Sequence, residues 1–342
     1  MLDAQSADLL ATLERMTKSW TASNALNDIT GFRAYAAEVF TTFAGRERDE
    51  TAFVSEDISI GTDEAARPAR LYRPAIKAAV RPAAPLPVVV FFHGGGWMLG
   101  DIDSYHGLVA SLAVLSQSVF ISVDYRLAPE HKFPAGLQDA IMATAWVADH
   151  AEALDIDANR LAVMGDSAGG NLAAAVTQHR IRYGGSPTGG SPIRAQYLLY
   201  PVLDAVSPHS HFPSRLALGD GNFFLTRDAI ENSVTQYLGA GQSAADPRIS
   251  PLLAKNLAGL MPTFVMVGSY DPLLDEANAY VRRLQVAGVE STLHIVEGGI
   301  HAFLSFGVLD LSQTARRVLA DHIRRTFALP STLYLPSQGR DV

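Results

Sequence analysis

The chain has 342 residues, no cysteine, and 27 Lys and Arg against 35 Asp and Glu, a formal net charge of −8. The missing thiols exclude a cysteine nucleophile, thiolate metal sites and a disulfide framework, and the acidic balance argues against the clustered basic face that nucleic acid requires. A chain this long buries roughly three quarters of its unfolded surface, so its core needs neither disulfides nor a structural metal.

The chain opens with Asp3 and Asp8 ahead of any Lys or Arg and shows no unbroken apolar run before Trp20. Neither a secretory signal nor a membrane span is expected, and the cytoplasm is the default location. From residue 6 to 43, Leu9, Leu10, Leu13, Met16 and Trp20, then Phe32, Tyr35, Ala36, Val39 and Phe40, recur at helical spacing and predict two amphipathic helices. Residues 53–60 and 69–73 read as short strands, and the Pro- and Ala-rich stretch 74–87 as a surface connector.

Further along, apolar runs at 88–92, 119–123, 161–164, 196–200, 263–267 and 292–296 alternate with helix-like stretches at 104–115, 136–150, 168–183, 275–287 and 309–327. Short apolar runs separated by helices imply a mostly parallel sheet covered on both faces, with eight strands once the two early ones are added. Residues 204–246 break the alternation with one helical stretch, 226–238, and read as an insertion above the strand ends. Residues 184–192 form a Gly/Ser/Pro loop expected to be mobile.

The chemistry begins where the 161–164 run meets the following helix, in Gly165-Asp166-Ser167-Ala168-Gly169. A nucleophile on a tight strand-to-helix turn needs glycine two residues to either side, because the two backbones approach closely there. An ordinary glycine-rich βα turn is the bland alternative, and the strand-then-helix context disfavours it. His93-Gly94-Gly95-Gly96 follows the 88–92 run, where amides freed of side chains face a developing oxyanion. Gly94 and Gly95, with the N–H of Ala168, are the expected donors, and His93 is expected to brace the loop rather than act as a base. Neither phosphate-loop pattern is present.

Asp271 and His301 each follow a strand run, 263–267 and 292–296. The carboxyl ends of parallel strands share one edge, so both residues reach the edge that carries Ser167, in the order Ser, Asp, His. Asp275, suited to cap the next helix, and Asp166, beside the nucleophile, compete for the role of Asp271. His106, His131, His294, His209 and His211 are not in a base position, and no histidine motif calls for a metal.

These residues, with Trp97, Asp124-Tyr125-Arg126-Leu127-Ala128-Pro129-Glu130-His131, Gly170-Asn171, Asp271-Pro272-Leu273, Asp275-Glu276 and His301-Ala302-Phe303, resemble the bacterial hormone-sensitive-lipase-like (family IV) esterases of the Gly-Asp-Ser-Ala-Gly branch. The resemblance runs from Val88 to about Phe303. It implies an α/β-hydrolase fold with a helical cap, no cofactor, and hydrolysis of short to medium acyl esters through an acyl-enzyme. It divides the chain into an N-terminal cap segment (1–50), a catalytic core in two parts (51–203 and 247–330), a cap insertion (204–246) and a tail (331–342). Two departures stand out: Ala302 where the family usually has glycine, and Tyr105-His106 where it has His-Asp.

Ser167, Asp271 and His301 are thus the expected triad of a serine carboxylesterase. Trp97, Leu203, Phe223, Phe224, Ile300 and Phe303 are candidates to line the substrate pocket, although any one of these apolar side chains is more often core than pocket. An amidase or deacetylase would use the same triad. Receptors of this fold, such as the plant gibberellin receptors, lack the base histidine that this chain keeps. The expected partner is a small ester, without nucleic acid or a membrane span; a homodimer is left open.

Overall fold

The computed structural model describes residues 1–23, 26, 28–45, 52–75, 84–183 and 193–329. Most of the 74–87 connector, the 184–192 loop and the 331–342 tail lie outside the described residues.

Eight strands form one sheet in the order β1-β2-β4-β3-β5-β6-β7-β8. They are β1 (Phe53–Ile60), β2 (Arg67–Pro74), β3 (Leu86–Phe92), β4 (Val119–Val123), β5 (Ile156–Asp166), β6 (Ile193–Leu199), β7 (Thr263–Tyr270) and β8 (Ser291–Ile300). β2 runs antiparallel to β1 and β4, and every other pairing is parallel. Every residue of β3 and β4 is buried, as expected for strands covered on both faces. Several strands outrun their apolar cores: β5 begins at Ile156 because Ile156 and Asp157 pair with Leu86 and Pro87 of β3, ahead of a register shift that leaves Asn159 and Arg160 unpaired on β3.

The helices among the described residues are α1 (Ala4–Ala22), α2 (Ile29–Phe43), α3 (His106–Ser116), α4 (Ala135–Asp149), α5 (Ala168–Tyr183), α6 (Pro213–Leu218), α7 (Arg227–Tyr237), α8 (Leu274–Val286) and α9 (Asp310–Thr326). Local chemistry sets several of the starts. The Asp3, Asp28 and Thr226 side chains accept from the Ser6, Gly31 and Ala229 amides, satisfying donors that a helix start leaves open. The insertion holds two α-helices where its sequence predicts one. The extra helix, α6, has Pro213 in its first turn and is too short for periodicity to reveal.

The two N-terminal helices lie over the carboxyl ends of the strands. The Asp3 amide donates to Gly298 O near the carboxyl end of β8, and Phe40 of α2 packs at 5.5 Å from Tyr105 and 6.0 Å from Phe306. No helix of the described residues is long and apolar enough to cross a membrane.

Candidate active site

Ser167 stands between β5 and α5 with φ = 52°, a left-handed conformation costing a residue with a Cβ roughly 1–2 kcal/mol. The turn is as tight as the glycine spacing requires. A Cβ on Gly165 would lie 2.2 Å from Gly169 O, and one on Gly169 would lie 1.9 Å from Phe92 O, so neither position admits a side chain. The Ser167 amide donates to Leu199 O at 2.8 Å, and Ser167 O accepts the Asn171 amide at 3.0 Å, which holds the elbow between β6 and the first turn of α5.

The three residues proposed from sequence meet at the strand ends. His301 Nε2 lies 3.0 Å from Ser167 Oγ, and His301 Nδ1 lies 2.8 Å from Asp271 Oδ2. A carboxylate only accepts, so Nδ1 carries the hydrogen and Nε2 is left to accept from the serine hydroxyl. Asp271 is fully buried, and its Oδ1 takes the Leu273 amide at 2.8 Å, so both oxygens are held. Tyr200 sets its ring edge-on to His301 at 5.0 Å, restricting how the imidazole turns. Asp275, the competing carboxylate, faces the other way and accepts the Ser214 amide at 2.7 Å.

On the opposite side of Ser167 the glycine loop departs in one respect from its expected role. The Gly94 N–H donates to Asp166 Oδ1 at 2.7 Å, so it is committed to a carboxylate rather than free for an oxyanion. The Gly95 and Ala168 amides have no acceptor among the described residues, and Gly95 holds φ = 110°, a conformation closed to side chains. Ala168 is the first residue of α5, where helix geometry leaves amides unpaired. His93 braces the loop: its Nδ1 lies 2.9 Å from Gly94 O, its ring stacks on Tyr125 at 4.4 Å, and burial pushes its pKa down to about 4. Tyr125 Oη also donates to His93 O at 2.8 Å.

Asp166, whose direction sequence leaves open, points under this loop. It is buried, and desolvation pushes its carboxyl up to about 7 even though the Tyr105 hydroxyl and the Gly94 amide favour the charged form. Ala302, the departure beside His301, adopts φ = 62°, which explains why glycine is the usual residue there; alanine tolerates it with some strain.

The pocket candidates divide. Trp97 is 1% exposed and stacks face to face on Tyr237 of α7 at 4.4 Å, so it ties the insertion to the glycine loop instead of facing a ligand. Leu203, Ile300 and Phe303 are fully buried, Phe303 with its ring 5.4 Å from Tyr200. Phe223 and Phe224, from the insertion, stay half-buried, against Tyr270 and Phe306 respectively.

Residues 89–305 match the family model described as the alpha/beta hydrolase fold. The chain belongs to the α/β-hydrolase fold family. Within it the relatives are carboxylic ester hydrolases, and the chain's place is in the hormone-sensitive-lipase-like branch. It is 40% identical over 254 residues to the carboxylic ester hydrolase LipN of Mycobacterium tuberculosis, covering 73% of this chain and 64% of that protein's length. It is 37% identical over 260 residues to the ethyl acetate hydrolase of Pseudomonas putida, covering 76% and 78%. Among solved structures, an esterase of Pyrobaculum calidifontis superposes with a TM-score of 0.81 at 33% identity, over 96% of this chain and all of that one.

Sequence reasoning within this α/β hydrolase missed two anchoring arginines and left the partner of Tyr105 unnamed. Arg33 of α2 donates from Nε to Met98 O at 2.9 Å, from Nη2 to Ala128 O at 3.1 Å, and from both Nη atoms to Glu130 at 2.7 Å. Arg215 of α6 reaches Asp204 O and the buried Glu276 of α8, and Tyr105 donates to Asp166 Oδ2 at 3.0 Å. Glu130 and Glu276 belong to stretches that carry the family resemblance, but an isolated arginine in an amphipathic helix announces no partner.

Proposed function

We propose that this protein is a serine carboxylesterase that hydrolyses short to medium acyl esters through an acyl-enzyme on Ser167. The observation that carries this is the continuous hydrogen-bonded series from Ser167 Oγ through His301 to the buried Asp271. Ser167 Oγ attacks the ester carbonyl while His301 Nε2 takes its proton, and the Gly95 and Ala168 amides receive the oxyanion. His301 returns the proton to the departing alcohol, then activates a water that frees the acid. Asp271 fixes the tautomer and steadies the imidazolium that forms in both steps.

The N-terminal helix pair and the 204–246 insertion act as the cap in this reading. Phe224 of the insertion and Phe40 of α2 both pack on Phe306, five residues after the base, which supports a shared wall over the site. A short acyl preference draws support from the relative named for ethyl acetate hydrolysis.

Ser167→Ala tests the reading on a chromogenic acyl ester series from acetate to decanoate. Turnover should fall by about 10³-fold or more with thermal unfolding retained, leaving only what oxyanion stabilisation and binding supply. Retention of a tenth of wild-type kcat would rule out Ser167 as the nucleophile, and rates that rise steadily to decanoate would rule out the short-to-medium range.

A further inference from the structure

The carboxylate next to the nucleophile takes no part in the proton transfers above, yet it is buried beneath the loop that must bind the oxyanion. Asp166 ends β5, and its two oxygens are divided between two donors from different parts of the chain. Oδ1 accepts the Gly94 amide at 2.7 Å, and Oδ2 accepts the Tyr105 hydroxyl at 3.0 Å. The contact is close: a Cβ on Gly94 would lie 2.6 Å from Asp166 Oδ2 and 2.9 Å from Tyr105 Oη.

The groups facing Asp166 come from five elements. They are Gly94 after β3, Tyr105 before α3, Tyr125 after β4, Tyr200 after β6 and His301 after β8. No Lys or Arg among the described residues pairs with Asp166. A carboxylate retained without a cation, one residue from a site where negative charge develops, is poorly explained as an electrostatic contributor to catalysis. As a two-sided acceptor it is well explained: it holds Gly94 at its N–H while His93 Nδ1 lies 2.9 Å from Gly94 O, which shares a peptide plane with the Gly95 N–H, so the two contacts together fix the direction of that amide.

We propose that Asp166, steadied by Tyr105, is a positioning residue that aims the Gly95 amide at the oxyanion by holding the Gly94 N–H. The inference rests on the serine esterase reading and deepens it. Hydrogen-bond geometry, not charge, is what the position supplies. An asparagine meets the same demand: its Oδ1 accepts from Gly94, and its Nδ2 donates to Tyr105 Oη, since a phenol also accepts. Alanine leaves the Gly94 amide and the Tyr105 hydroxyl without their partner, freeing the loop to turn. The substrate's ground-state carbonyl gains little from the oxyanion donors, so the loss falls on kcat and spares KM.

The test measures kcat, KM and thermal unfolding for Asp166→Ala, Asp166→Asn and Tyr105→Phe, with Ser167→Ala beside them. Loss of a whole oxyanion donor costs about 10²–10³ in rate, so a misaimed one in Asp166→Ala should lower kcat by about 10–100-fold at KM within about twofold of wild type. Asp166→Asn should recover kcat to within about threefold, and Tyr105→Phe should lower kcat by about three- to tenfold. Full activity in folded Asp166→Ala, or an Asp166→Asn variant as slow as the alanine one, overturns the proposal. If the alanine variant does not fold, the Tyr105→Phe and Asp166→Asn pair decides: unchanged kcat in the first or collapse in the second overturns it. Active Ser167→Ala would instead bring down the esterase reading itself, so the two failures are separable.

Discussion

Two arginine–glutamate pairs fasten the N-terminal helices and the 204–246 insertion to the rest of the protein, and burial gives them opposite characters. The N-terminal pair, Arg33 with Glu130, is 32% and 47% exposed, and the arginine's hydrogen bonds pull the Glu130 carboxyl down to about 2. The insertion's pair, Arg215 with Glu276, is 2% and 0% exposed. There desolvation outweighs the arginine and pushes the Glu276 carboxyl up to about 7. The same two side chains therefore form a water-screened clasp in one place and a costly buried charge pair in the other. Glu276 also lies five residues from Asp271 and takes the Leu203 amide, so the pair joins the insertion to the segment that carries Asp271. The N-terminal helices are held mainly by apolar burial of Leu9, Leu13, Val39 and Phe40.

The sharpest way to break this contrast is to remove one arginine at a time. Arg215→Ala strips Glu276 of its counter-charge inside the protein and should destabilise it by about 3–5 kcal/mol in urea unfolding. A cost as small as that of an exposed pair would mean that water reaches Glu276.

The pH dependence comes next in size. A folded pKa above the unfolded one means that Glu276 contributes stability fully below about 4.5 and loses it as pH rises through about 7. The fall should approach about 3 kcal/mol at most, at 1.36 kcal/mol per pH unit. Comparison of unfolding free energies from pH 4.5 to 8 with those of Glu276→Gln isolates the contribution, and identical slopes would refute it.

The smallest effect is expected at the exposed clasp. Arg33→Ala should cost under about 1 kcal/mol at neutral pH, shrinking further in high salt. Glu130, with its pKa lowered, contributes above the unfolded carboxylate range and loses that contribution as pH falls toward about 2, opposite in sign to Glu276. A cost above about 3 kcal/mol would show that Arg33 matters through Met98 O and Ala128 O more than through its charge.

What could be read along the chain follows from local chemistry. Apolar runs mark the strands because a strand buried on both faces has no polar side. Glycine at 165 and 169 marks the elbow because no side chain fits there. The approach of Asp271 and His301 to Ser167 follows from parallel strands sharing one edge. By contrast, the sequence named Gly94 as an oxyanion donor and Trp97 as pocket lining, it flagged Tyr105 only as a departure from the family pattern, and it was silent about Arg33 and Arg215.

Each of those depends on a partner far off in the chain: Gly94 on Asp166, Trp97 on Tyr237, Arg33 on Glu130, Arg215 on Glu276. Periodicity reports which face of an element is apolar, not which residue of another element meets it. The strands, the elbow and the order of the three site residues were determined by the sequence on its own, because neighbouring residues encode them. Which amides stayed free and which charges were buried was decided only when helices packed across strand ends, since desolvation and hydrogen-bond commitment are properties of the assembled neighbourhood.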